Sequence, residues 1–222
     1  MAEVAAVDDL TPVPRTAADI LPKGEEQRQA AAAPKAAGKW LTASVTDDAA
    51  QVIKAGFDEA TRRDPDHKRL WVALVDGNAH QIDRIRAQAR TRKVPVTIVV
   101  DFIHVLEYLW KAAWCFYPEG APQAEQWVCA HARAVLAGRA GIVAAAIRRK
   151  ATYHGLDPGA RRHADSAAGY LLARSPTWTT PPRWPGGGRS PPASSRAPAA
   201  TWSTTAWTSP APAGACPEPR PS

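Results

Sequence analysis

Two short apolar runs, Leu70–Val75 (LWVALV) and Val94–Val100 (VPVTIVV), constrain this chain more than any other feature. Each is continuous rather than alternating, the pattern of a strand buried on both faces. Between them, Ile82, Ile85 and Ala89 mark the buried stripe of a helix. A strand–helix–strand unit of this length implies two parallel strands joined by a right-handed crossover. Pro95 stands near the start of the second run, where a strand tolerates proline.

The surrounding chain extends this unit into an α/β domain over residues 40–174. Upstream, Thr46, Asp47 and Asp48 offer a helix cap, and Val52, Ile53, Phe57 and Ala60 recur at helical spacing until Asp64–Pro65–Asp66. Downstream of Asp101, an amphipathic helix is expected from Ile103, Leu106, Leu109, Trp110, Ala113 and Phe116. Two more helices are expected over Ala124–Leu136 and Gly141–His154, making a helical insertion. Trp110, Trp114 and Trp127 read as core residues rather than stacking platforms.

The two ends have a different character. Residues 1–39 are rich in alanine, proline and charge, and read as a disordered linker. Residues 175–222 hold twelve prolines and four tryptophans, a single acidic residue, Glu218, and no Leu, Ile, Val, Phe or Tyr. Such a segment cannot build a core and is expected to be disordered. A proline-rich tail is one account of it; GC-rich DNA read in the wrong frame is the other.

Bulk properties exclude several classes. The 222 residues carry a formal charge of +7, which suits a polyanionic partner without requiring one. Three cysteines with no CxxC pair argue against a zinc ribbon or a disulfide framework. No signal-peptide pattern opens the chain and no apolar stretch approaches the length of a membrane span, so the default compartment is the cytoplasm, with no membrane partner. The phosphate-binding loop, dinucleotide fingerprint, zincin and nucleophile-elbow motifs do not occur.

Chemistry could sit at the strand ends. Asp76 directly follows the first run and Asp101 the second. Ligands of open parallel sheets bind beyond the carboxyl ends of strands, and two neighbouring carboxylates can share a Mg²⁺. The competing reading makes both of them turn or cap residues, since Asp–Gly is a favoured turn pair. His104 is a general base, a metal neighbour, or a helix-start residue with a local hydrogen bond. Arg84, Arg86, Arg90, Arg92 and Lys93 form a basic helix end that either touches phosphate or is a solvated face.

The stretch Trp71–Tyr117, with its DGNxHQI and VVDFxHVLEYLWKAAW segments, resembles the Kra group of bacterial insertion-sequence transposases, and the likeness runs from residue 1 to about 174. That resemblance implies a partial ribonuclease-H-like fold and a carboxylate triad of the DDE type. It further implies Mg²⁺-dependent cutting at transposon ends and joining to target DNA, and a homo-oligomer as one assembly. Asp76 matches the aspartate after the fourth strand, the second carboxylate of the triad. Asp101 and His104 match a D-x-x-H element after the fifth strand, where relatives often carry C-x-x-H. Asp76 and Asp101 are the implied metal ligands.

Two departures from the family's pattern shape the expectation. Its first carboxylate, with the first three strands, would precede Met1. Its closing segment, GWPIATGVIEGACRHLV, carries the third carboxylate, yet Gly186–Ser203 here reads GGGRSPPASSRAPAATWS. One permitted coding of those residues, read from its third base, gives the family segment, so a frameshift near Ser175 is expected. The chain is then a truncated, inactive transposase. The rivals are a non-catalytic DNA-binding or inhibitory fragment and an unrelated small parallel α/β metalloenzyme.

Overall fold

A computed structural model of the chain describes residues 3–11, 17–21, 35–174 and 199–203. They divide between two compact units, one α/β and one helical.

The α/β unit holds a five-stranded sheet built from β1 (Glu3–Leu10), β2 (Ala37–Ser44), β3 (Leu70–Val75), β4 (Val96–Val100) and β5 (Ala199–Ser203). Their order is β2-β1-β5-β3-β4. β3 and β4 pair in parallel as the apolar runs predict, from Trp71↔Val96 to Val75↔Val100. β5 is parallel to β3 and antiparallel to β1, and β1 is antiparallel to β2. β1 is thus the one strand that runs against the other four.

Burial departs from the expectation of two fully enclosed strands. On β3, Trp71, Ala73 and Val75 are buried while Leu70, Val72 and Leu74 are half-buried. β4 lies at the sheet's edge, and Val100 is its one fully buried residue.

Residues 1–39 are not wholly a linker, which corrects the expected boundary. β1 runs through EVAAVDDL, with Ala5, Ala6 and Val7 buried, and β2 begins at Ala37. Small residues give β1 its place inside the sheet; their low hydrophobicity hides it in the sequence. For the same reason, the expectation that the strands preceding β3 all lie outside the chain fails. The tail also departs from the expected disorder at one place, since Ala199–Ser203 forms β5. Backbone pairing needs no large side chain, so composition could not reveal it. The rest of both segments lies outside the described residues.

Helix α2 (Ala49–Arg63) packs on this sheet and buries Val52, Ile53, Phe57 and Ala60, the predicted stripe. Asp48 caps it in a capping box: its side chain accepts from Gln51 N at 2.9 Å, and Gln51 Oε1 accepts from Asp48 N at 3.3 Å. Helix α3 (Ala79–Arg92) follows β3 and buries Ile82 and Ile85.

The helical unit contains α1 (Ala17–Ile20), α4 (Phe102–Ala113), α5 (Pro122–Leu136), α6 (Ala140–Tyr153) and α7 (Arg162–Ala173). Its core is unusually small-chained: Ala112, Ala113, Ala132, Ala144, Ala164, Ala167 and Ala168 pack with Val105, Leu109, Val128, Val143, Ile147 and Leu171. Alanine lets helices approach closely, but each contributes little apolar area. The buried face of α4 is rotated from the expected one. Val105, Leu109, Ala112 and Ala113 are buried, Leu106, Trp110 and Phe116 pack against the core from its margin, and Ile103 is 63% exposed. Trp114 is 53% exposed and so is not a core residue, whereas Trp110 and Trp127 do pack on the core. Cys115 is a free thiol and Cys129 is disulfide-bonded, so the cysteines are not all reduced as their spacing suggested. Among the described residues no helix is long and apolar enough to cross a membrane.

Candidate functional site

The site candidate is the carboxyl edge of the β3–β4 pair. Val75 and Val100 are register partners, and the next residues in each strand are Asp76 and Asp101. The two chains stay joined one step beyond the ladder, because Asp101 N donates to Val75 O at 2.7 Å. The sheet therefore delivers the two aspartates side by side at one edge, as their positions after the apolar runs imply. Both are partly exposed.

Local geometry also honours the turn reading of Asp76. Its Oδ1 accepts from the backbone N–H of Asn78 at 2.7 Å, closing an Asx turn. Gly77 sits inside that turn at φ 94°, a conformation that side-chain-bearing residues rarely adopt. Asn78 then caps α3, its side chain accepting from His80 N at 2.9 Å. His80 is placed by this cap, within the first turn of α3. One oxygen of Asp76 thus shapes the strand-to-helix turn while the residue stands at the strand's carboxyl end.

His104 belongs to the first turns of α4 in the helical unit. Its Nδ1 lies 3.5 Å from Glu107 Oε2, one turn along the same helix. That is the local-partner reading of His104. Among the described residues no group of three or more His, Cys, Asp or Glu is placed to hold a metal ion. The edge supplies two aspartates.

The basic helix end resolves into two kinds of cation. Arg92 is committed: it donates to Asp58 Oδ1 at 2.5 Å and to Thr61 Oγ1 at 3.2 Å, and its guanidinium lies over the Phe57 ring at 5.6 Å. Arg84 reaches Asp48 at 3.5 Å. Arg86, Arg90 and Lys93 are exposed and, with Ala89, Val94 and Pro95, line a hollow of about 380 Å³. Arg86 has one longer contact, 3.6 Å to Asp83. This hollow adjoins the amino end of β4, so the strand's length separates it from Asp101. Sequence spacing alone put all five cations in one cluster; tertiary pairing separates them.

A second charged network was not visible in the sequence. Asp9 on β1 accepts from Arg63 at 3.2 Å and from Arg69 at 2.7 Å. Asp64, buried, accepts from Trp71 Nε1 at 2.9 Å and from the backbone N–H groups of Lys68 and Arg69, each at 3.0 Å. These contacts tie α2 and the loop after it to β1 and β3. They are bonds between distant or loop positions, and no spacing rule announces them.

No family model, no curated protein and no solved structure matches the chain.

Proposed function

We propose that the chain is part of a DDE-type DNA transposase of the Kra insertion-sequence group, cytoplasmic and catalytically incomplete. The observation that carries this reading is the pairing of Asp76 and Asp101 at the ends of adjacent parallel strands, within the stretch whose sequence resembles that family. A mixed five-stranded sheet with one reversed strand next to its edge supports a ribonuclease-H-like domain. Partners are then transposon ends and target DNA, with a homo-oligomer as the assembly.

Carboxylate oxygens suit Mg²⁺, which is commonly held by one or two carboxylates with the remaining positions filled by water or phosphate oxygens. Asp76 and Asp101 would hold one such ion, and it would supply Lewis-acid polarisation of a phosphodiester and an activated water. The residues' own part is to fix the ligands: the Asx turn orients Asp76, and the Val75–Asp101 hydrogen bond ties the second strand end to the first. Two carboxylates are fewer than a two-ion phosphodiester site uses, which is why the chain is read as incomplete.

The test has two arms. The chain should show no Mg²⁺- or Mn²⁺-dependent cleavage of DNA carrying the element's ends. A version with the frame corrected near Ser175 and an aspartate-bearing first strand added should cut, and Asp76→Ala in it should abolish cutting. Normal cutting by that Asp76→Ala protein would show that the wrong aspartate is assigned. Robust cutting by the unrepaired chain would overturn the incompleteness.

The exposed Arg86, Arg90 and Lys93 around their hollow favour a second reading, a non-catalytic fragment that occupies DNA.

A further inference from the structure

The centre of the sheet is filled by its least suitable strand. β5 lies between β1 and β3, the third of five positions, where a strand is covered on both faces. Its neighbours are made for such burial: Ala5, Val7, Trp71 and Ala73 are at most 1% exposed. Strands enclosed in this way are normally continuous Val, Ile or Leu runs. The segment AATWS offers two alanines and a serine, residues with weak β preference, and no aliphatic chain larger than alanine.

Its pairing is also shorter than the space. β5 covers Ala6–Leu10 of β1 and Leu70–Leu74 of β3, leaving Glu3–Ala5 and Val75 without a partner on that side. Take β5 away and two facing rows of backbone N–H and C=O groups are exposed, each a template for a new strand.

We propose that the space between β1 and β3 is an acceptor for an apolar strand from another polypeptide, which replaces Ala199–Ser203. The incoming strand runs parallel to β3 and antiparallel to β1, as β5 does. Its length matches its neighbours, six residues on β3 and eight on β1. Recognition is by main-chain hydrogen bonds on both sides, with a continuous apolar sequence demanded by the two covered faces. The exchange is favourable because the present occupant has little apolar area to lose. This inference does not rest on the proposed transposase reading, and its test needs neither DNA nor metal.

The probe is a fluorescent peptide carrying VTIVV, flanked on each side by one lysine and one glutamate. This run already pairs in parallel with the other side of β3, so it is able to make the required bonds. The full chain should bind it saturably in fluorescence anisotropy, and a VTPVV control should not bind, having lost a backbone donor. Hydrogen exchange of the unaltered chain should then show the amides of Ala199–Ser203 losing protection while those of β1 and β3 keep it. Thr201→Pro, which disables the occupant, should tighten binding by about tenfold or more, since less of the chain is closed to the peptide. Retained protection of Ala199–Ser203 in the peptide-bound chain would overturn the proposal, as would absence of saturable binding. It would equally be overturned if the chain instead dimerises by exchanging Ala199–Ser203 between copies, seen as a concentration-dependent mass unaffected by peptide.

Discussion

Asp64 concentrates more structural duty than any other polar residue in the α/β unit. It is 5% exposed and accepts three hydrogen bonds, from the Trp71 indole and two successive backbone N–H groups. Burial pushes its carboxyl up, and those three donors, with the charge of Arg69, outweigh burial and hold it below the usual aspartate range. Asp64→Ala would leave a buried indole N–H and two loop amides without acceptors. An unmet buried donor costs about 1–3 kcal/mol, so the variant should lose about 2–4 kcal/mol in urea unfolding. Asp64→Asn, keeping one acceptor oxygen, should lose less; equal losses would show that the hydrogen bonds are not what Asp64 contributes. Glu59 gives the pH counterpart. The Arg62 hydrogen bond lowers its carboxyl most, burial opposes, and Arg63 adds to the lowering, so that it falls from 4.5 to about 2. A carboxylate lowered on folding stabilises the protein above its unfolded value and ceases to do so as pH falls through the folded one. Stability should therefore decline between about pH 4.5 and 2, and Glu59→Gln should flatten that part of the profile. An unchanged acid profile in Glu59→Gln would assign the decline to other carboxylates.

Elements differ in how openly the sequence announces them. β3, β4, α2 and α3 were legible because each carries its burial in large side chains: Trp71 and Val75, Val100, Phe57 and Ile53, Ile82 and Ile85. Their order also exposed the candidate site, since an aspartate after each run must arrive at the same edge once the runs pair in parallel. β1 was not legible, because alanines fill its buried positions and two aspartates follow them. Nor was β5, whose place is set by the backbone edges of β1 and β3. The face of α4 was misjudged because Ile103 obeys the helical period yet lies outside the core, while Ala112 and Ala113 lie within it. The end of α3 carries a further prediction. Its C-cap, Lys93, is left-handed at φ 55°, with its N–H bonded to Ala89 O and Arg90 O. A side-chain-bearing residue pays about 1–2 kcal/mol in that conformation, part of which glycine returns through greater unfolded-state freedom. Lys93→Gly should thus stabilise the chain by about 0.5–1 kcal/mol in thermal or urea unfolding. A loss of stability would mean that the lysine side chain contributes more than its strained backbone costs.

Across the molecule, the surplus of positive charge is spent unevenly. Lys54 and Arg92 face Asp58, Arg62 and Arg63 face Glu59, Arg69 faces Asp9, and Arg161 faces Asp165. These pairs consume cations in holding α2, β1 and their neighbours together. The hollow lined by Arg86, Arg90 and Lys93 is where exposed positive charge gathers beside α3. It lies at the amino end of β4 and the aspartates at the carboxyl end, five residues apart, about 17 Å at the usual rise of a strand. Polyanion binding and metal binding should consequently separate by mutation. If the hollow meets nucleic-acid phosphates, three cations release about three counterions, and the log–log dependence of duplex affinity on salt should have a slope near −2.7. Arg90→Ala with Lys93→Ala should bring the slope toward zero by about 1.8, and Asp76→Asn should leave it unchanged. Fluorescence anisotropy of a labelled duplex, measured over a range of salt concentrations, reads all three slopes. Should the double variant keep the parent's slope, the phosphate contacts lie elsewhere, and the hollow is only the solvated end of a polar helix.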